Sequence, residues 1–238
     1  RLQVLPGLPL GLDLLRARPE QVRRVERRHH ERLAFVELPR AAHLRDADLR
    51  SEQRGDGRLA EIVGIPTSEA TAARCRELGI PLTTLDQRPA IDLAVDGADE
   101  IAPGLALIKG MGGAHLREKV VACAAARFVV VADETKLVAR LGERAPLPVE
   151  VIAFARPVCE RLLGEQGWAR ELRMRDGEPW ITDEGNLILD CRREDWSDPP
   201  ALQRAIADMP GVVEHGMFLG MAAAAYVAAE GGVRVLAP

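Results

Sequence analysis

The sequence predicts an α/β fold: a doubly wound, mostly parallel sheet domain with a second, smaller α+β domain built on an antiparallel sheet. Three observations predict it. Between Leu59 and Ala132, short apolar runs alternate with helix-like stretches, the pattern of strands joined by crossover helices. Acidic and glycine-rich turns follow those runs directly, where open α/β sheets bind ligands. After Val151 the pattern changes to apolar runs separated by Asp176-Gly177 and Asp183-Glu-Gly-Asn186, turn chemistry suited to an antiparallel meander. A length of 238 residues suits one large domain and one small one.

The elements follow in order. Glu61–Pro66 reads as a short buried strand, and Thr67-Ser68 caps a helix over Glu69–Leu78 that Gly79 stops. Ile80–Leu85 and Ile91–Val95 read as strands, the second ending at the acidic turn Asp96-Gly-Ala-Asp-Glu100. Ala106–Ile108 leads into the glycine loop Lys109-Gly-Met-Gly-Gly113, a helix is predicted over Ala114–Arg127, and Phe128–Ala132 is a fully buried strand. A helix at Val158–Gly167 opens the smaller domain. Strands at Glu171–Arg175, Pro179–Thr182 and Leu187–Cys191 follow, then a helix at Pro199–Met209. The tail returns to the first domain, giving boundaries of 1–145 plus 219–238 for the larger unit and 146–218 for the smaller.

Composition excludes several classes. A net charge of −4 and only 3% aromatics argue against a nucleic-acid partner. No apolar run approaches the roughly 20 residues of a membrane span, so no membrane partner is expected. Cys75, Cys123, Cys159 and Cys191 are far apart and form no C-x-x-C, which fits a reduced cytoplasmic protein without a zinc site. No nucleophile elbow and no dinucleotide fingerprint follows a strand.

The chemistry concentrates between Asp92 and Glu118. Asp96 and Asp99 could simply cap a turn. Three acidic residues in five positions after a buried strand also need a neutraliser, and Lys109 is the obvious one. The chain uses 29 Arg and only 3 Lys, namely Lys109, Lys119 and Lys136. Where Arg is the default cation, a retained Lys points to a need for a compact point charge. Lys109 and Lys136 are read this way, and Lys119 as a solvated helix position. Gly110, Gly112 and Gly113 are either plain turn glycines or a bare backbone that lets amides approach an anion. Glu118 is either a surface helix residue or a general base. His115 and His215 are read as structural or surface residues.

At this point the residues resemble one family, type A ribose-5-phosphate isomerase. The matching pieces are Gly64–Ser68, Asp92–Ile101, Leu107–Lys119, Val130–Lys136, Pro146–Val151, Thr182–Asp190 and Pro210–Phe218, covering about Leu59 to the C-terminus. The resemblance implies cofactor-free, metal-free interconversion of D-ribose 5-phosphate and D-ribulose 5-phosphate through an enediolate, in the non-oxidative branch of the pentose phosphate pathway. It implies Glu118 as the proton shuttle between C1 and C2. Asp96 and Asp99 would orient hydroxyls, and Lys109 would steady the oxyanion. Asp96, Gly97, Ala98, Asp99, Lys109, Gly110, Met111, Gly112 and Lys136 would contact substrate, with Lys136 near the phosphate. A homodimer or homotetramer is implied as well.

One departure stands out. Residues 1–58 hold 13 Arg, include the run Arg23–Arg32, which reads as a basic nucleic-acid-binding arm, a solvated helix or a poorly ordered segment, and lack the glycine–threonine phosphate loop that the family carries after its first strand. Arg28–Leu33, written in GC-rich codons and read one base later, gives Gly-Thr-Thr-Ser-Ala-Trp. The expectation is that part of 1–58 is out of frame, at the cost of the first strand and half the phosphate site. Two rival readings follow: a non-catalytic sugar-phosphate-binding domain, and an inactive product of a damaged gene. Glu118 favours the enzyme over the binder, which has no need of a base.

Overall fold

The computed structural model describes residues 63–238 and the backbone of Leu33–Phe35. Its principal sheet has five strands in the order β1 (Leu33–Phe35), β2 (Leu93–Asp96), β5 (Phe128–Asp133), β13 (Ala224–Ala229) and β14 (Gly232–Leu236). The first four are parallel and β14 turns back antiparallel. The alternation within β5 follows from its pleat. Phe128, Val130 and Ala132 join the core on one face with Ala94, Val121, Phe218 and Ala225, while Val129 and Val131 face Ala224 and Tyr226 on the other side.

A second sheet is wholly antiparallel, in the order β11 (Val212–His215), β6 (Leu147–Val151), β10 (Leu187–Arg192), β7 (Ala169–Leu172). Helices α3 (Arg156–Glu165) and α4 (Pro199–Ala207) contribute Cys159, Leu163 and Ile206 to its core, where Trp168 meets Trp196 edge to face at 5.4 Å. A three-stranded sheet, β12 (Met217–Phe218), β4 (Ala106–Ile108) and β3 (Glu100–Ala102), joins the two units. The two-stranded ribbon β8 (Met174–Arg175) and β9 (Glu178–Pro179) extends the meander. Helix α2 (His115–Ala124) adds Val121 and Ala122 to the core beneath the parallel sheet, and helix α1 (Glu69–Glu77) packs Cys75 against Ile80. Among the described residues no helix is long and apolar enough to cross a membrane.

Several sequence expectations change. Within Glu61–Pro66 and Ile80–Leu85 the described residues form no strands, only isolated bridges at Gly64, which pairs with Leu82, and at Pro66. Pro66 and Pro81 lack the N–H that would extend a ladder. The helix predicted to Arg127 ends at Ala124, because Ala125 is extended and bridges Ile91. The Glu171–Arg175 strand breaks at Arg173, whose N–H and C=O bond to Ile188 and Trp180. Of Pro179–Thr182 only Pro179 enters a strand. A strand also lies at Leu33–Phe35, in register with Leu93–Val95, just after the stretch where the phosphate loop belongs; the expected loss of the first strand, before that stretch, falls outside the described residues. The Arg23–Arg32 run and the frame-shifted stretch lie otherwise outside the described residues.

Candidate active site

β2 ends at Asp96 and the chain turns through Gly97-Ala98-Asp99 into the β3–β4 hairpin, which returns at Lys109. This short excursion brings Lys109 back against the turn it left. Its Nζ donates to the Gly97 carbonyl at 2.7 Å, forms an ion pair with Asp96 Oδ2, and lies 3.1 Å from Glu118 Oε2. Asp96, Lys109 and Glu118 are all buried, at 1%, 3% and 4% exposure. The Gly97 N–H donates to Asp96 Oδ1 at 2.7 Å, and Ala98 is buried beside it. The cluster sits at the carboxyl end of a parallel strand, as the location rule requires.

Two carboxylates around one ammonium leave the cluster one negative charge in excess, taken out of water. Burial and then the Glu118 charge raise the Asp96 pKa well above the usual range, with Lys109 opposing. Burial also raises Glu118, again against Lys109. For Lys109 burial pulls downward, but Asp96 and Glu118 outweigh it and hold the ammonium above the ordinary lysine range. The site therefore keeps a charged lysine and two carboxyls that bind protons more readily than in water.

The glycine loop lies against this cluster. Asp99, half-buried, accepts the Met111 N–H at 3.0 Å. Met111 and Gly112 are exposed, whereas Gly110 is buried at φ +106°. A Cβ on Gly110 would sit 2.8 Å from the ring and Cβ of His115, which is fully buried and has nowhere to move. Gly110→Ala is expected to destabilise the fold by about 1–3 kcal/mol through backbone strain. It should also lower kcat/KM at least tenfold as the loop shifts. Urea unfolding and steady-state assay check this, and wild-type values in both would sink the idea.

The other candidates fall as follows. Lys136 is half-buried on the 3-10 turn Glu134–Lys136 after β5, at the same sheet edge as Asp96. Glu100 turns away from Lys109. It is buried and accepts three backbone N–H groups, from Gly142, Arg144 and Ala145 at 2.7, 2.6 and 2.8 Å. Lys119 is not solvated. It is buried, donates to Glu214 Oε1 and the His215 carbonyl at 2.6 Å each, and lies over the Phe218 ring. Its helix packs between the sheet and β11, leaving little of α2 in water. His115 and His215 are both buried, and burial drives their pKa down to about 3 and about 4, so both are neutral. Among the described residues no group of three or more His, Cys, Asp or Glu is placed to hold a metal ion. Sequence reasoning missed Arg173, which reaches Gly110 and Met111 from the other unit.

The profile of the ribose 5-phosphate isomerase A (phosphoriboisomerase A) family matches residues 63–232. The chain belongs to this family. It is 62% identical over 179 residues to ribose-5-phosphate isomerase A of Roseiflexus sp. (strain RS-1), covering 75% of this chain and 77% of that one. The enzyme of Deinococcus radiodurans is 48% identical over 180 residues, covering 76% and 79%. The solved ribose 5-phosphate isomerase A of Methanocaldococcus jannaschii superposes with a TM-score of 0.81 at 36% identity, covering 95% of this chain and 99% of that one. A D-ribose-5-phosphate isomerase in complex with phospho-erythronic acid gives 0.83 at 33%, with the same coverage. The reaction is accordingly an isomerisation of ribose 5-phosphate, and the substrate class a sugar phosphate.

Proposed function

We propose that Glu118, Lys109, Asp96 and Asp99 carry the interconversion of D-ribose 5-phosphate and D-ribulose 5-phosphate. The observation behind this is the buried Lys109 ammonium held between the Asp96 and Glu118 carboxylates beside a bare-backbone loop. Ionised Glu118 takes the C2 proton of the open-chain aldose. The electron pair moves toward the carbonyl, giving an enediolate, and the same proton returns at C1. Lys109 is a fixed cation for the developing oxyanion, the kind of preorganised charge that usually contributes most. Asp96, with its raised pKa, is suited to pass the hydroxyl proton between O2 and O1, and Asp99 to orient a hydroxyl. Gly97, Ala98, Gly110, Met111 and Gly112 line the approach, and Lys136 holds the phosphate.

The catalytic unit comprises residues 1–145 and 219–238 in this reading, and residues 146–218 form the smaller domain. The family likeness supports a homodimer or homotetramer working in the cytoplasm. The test is a coupled assay of the purified chain with ribose 5-phosphate, alongside Lys136→Ala. Loss of a charged phosphate contact should raise KM about ten- to hundredfold with little change in kcat. An unchanged KM would remove Lys136 from the phosphate site. Absence of turnover by the parent chain would overturn the isomerase assignment for it.

A further inference from the structure

Arg173 carries a charge from the smaller domain to the glycine loop. Arg173, between β7 and β8, is 6% exposed. Its Nη1 donates to the Gly110 carbonyl at 2.7 Å and to the Met111 carbonyl at 3.2 Å. Its Nε and Nη2 close a two-pronged ion pair with Asp190 of β10, at 2.9 and 2.5 Å. The Arg173 backbone is pinned on both sides, its N–H to Ile188 and its C=O from Trp180. The guanidinium also lies 5.4 Å from the Trp180 ring, and that ring closes against the Gly113 backbone. The arginine is thus fixed before it touches the loop.

The peptide plane turns this grip into an orientation. The bonds here are trans, so each C=O and its peptide N–H point in opposite directions. Holding the Gly110 carbonyl fixes the Met111 N–H on the far side, where Asp99 accepts it. Holding the Met111 carbonyl likewise aims the Gly112 N–H away from Arg173. The Gly110 oxygen thus takes both the guanidinium and the Gly113 N–H, while the Met111 N–H on the opposite side is held by Asp99. A guanidinium at a carbonyl oxygen also polarises its peptide and strengthens the opposite N–H as a donor.

We propose that the Arg173–Asp190 pair is a positioning device for the isomerase site, setting the loop backbone and, through the Met111 N–H, the Asp99 carboxylate that meets the sugar phosphate. This rests on the isomerase reading for its kinetic consequence, though not for the loop geometry. Arg173 touches no reacting atom and acts through Gly110 and Met111. The bidentate pair explains why an arginine stands here: a lysine could reach one carbonyl but could not hold Asp190 and both carbonyls together.

The test uses the full chain with Arg173→Met/Asp190→Leu, which removes both charges and leaves neither buried alone. Hydrogen exchange of the Lys109–Ala114 backbone should quicken while that of the β6 and β10 core stays unchanged. The kcat/KM for ribose 5-phosphate should fall on the order of 10²-fold, since small misplacements of a binding loop cost this much. Most of the loss should appear in KM, and the pH midpoints should stay put, because Glu118 and Lys109 are untouched. Arg173→Lys should recover part of the loss. Arg175→Met, whose side chain stacks on the same Trp180 ring at 4.6 Å, should behave as wild type. Wild-type kinetics and unchanged loop exchange in the double variant would overturn the proposal. If that variant does not fold, Arg173→Lys decides alone, and wild-type values there overturn it equally. An inactive parent chain would sink the isomerase reading, while loop exchange would still judge the role of Arg173.

Discussion

Glu118→Gln is expected to abolish isomerisation while leaving the fold at least as stable. Glutamine keeps the shape and an acceptor for Lys109, but it cannot take a proton. Loss of a general base lowers kcat by about 10²–10⁴-fold. KM should change little, because Glu118 is engaged chiefly as the reaction proceeds. Exchange of the substrate C2 proton with heavy water should vanish together with turnover. A variant retaining a tenth of the activity would remove Glu118 from the mechanism and favour a sugar-phosphate-binding domain.

The stability side follows from charge. Asp96 and Glu118 both bind protons more tightly folded than unfolded, so their contribution to stability falls as pH rises from the ordinary carboxylate range through their raised pKa values. Lys109 has the same sign in a higher window: its raised pKa stabilises the fold at every pH below about 10.4, and that contribution is lost as pH rises further into alkali. With both carboxyls ionised, one carboxylate is in excess. Glu118→Gln removes it and leaves the neutral Asp96–Lys109 pair, so Tm should not fall. The wild-type kcat/KM should decline with acid at a midpoint above the usual glutamate value of about 4.3, since the base must be ionised.

The cluster was legible in sequence because it is nearly local. Asp96 and Lys109 are joined by one tight hairpin, and Glu118 lies in the first turns of the helix that the glycine loop opens. Motif spacing alone brings them together. Arg173 was not legible. It is one of 29 arginines, and its contacts to Gly110 and Met111 cross more than 60 positions into another unit. Lys119 failed for a related reason: a lone helical lysine reads as solvated, and only the packing of β11 against α2 buries it. Short strands such as β3 and β12 carry two or three residues, too few for any period to register. The strand expected at Ile80–Leu85 had the right residue types, but proline at its entry and in its partner limits it to one bridge.

Lys109→Met should be the most damaging single change, in both activity and stability. Methionine matches the stem of lysine and fills the same buried space, so packing loss is small. What disappears is the ammonium that touches both buried carboxylates. Breaking a buried ion pair from one side costs about 3–5 kcal/mol, because the remaining charge is left without compensation. Here two charges are left, and they repel each other. The protein can relieve this by protonating Asp96 and Glu118. The stability of the variant should therefore become steeply pH-dependent, recovering toward wild type in mild acid and collapsing as pH rises through their further raised pKa values. Activity should be lost even where the fold survives, since protonated Glu118 is no base and the oxyanion has no cation. Removing the partner charges separates the two effects: Lys109→Met/Asp96→Asn/Glu118→Gln should regain most of the lost stability at neutral pH but none of the activity. Urea unfolding from pH 5 to pH 8 reads the first effect, and the coupled assay reads the second. A Lys109→Met protein as stable as wild type across that range would mean that the two carboxyls are already protonated in the folded state. Lys109 would then be a hydrogen-bond donor to neutral acids and not their neutraliser.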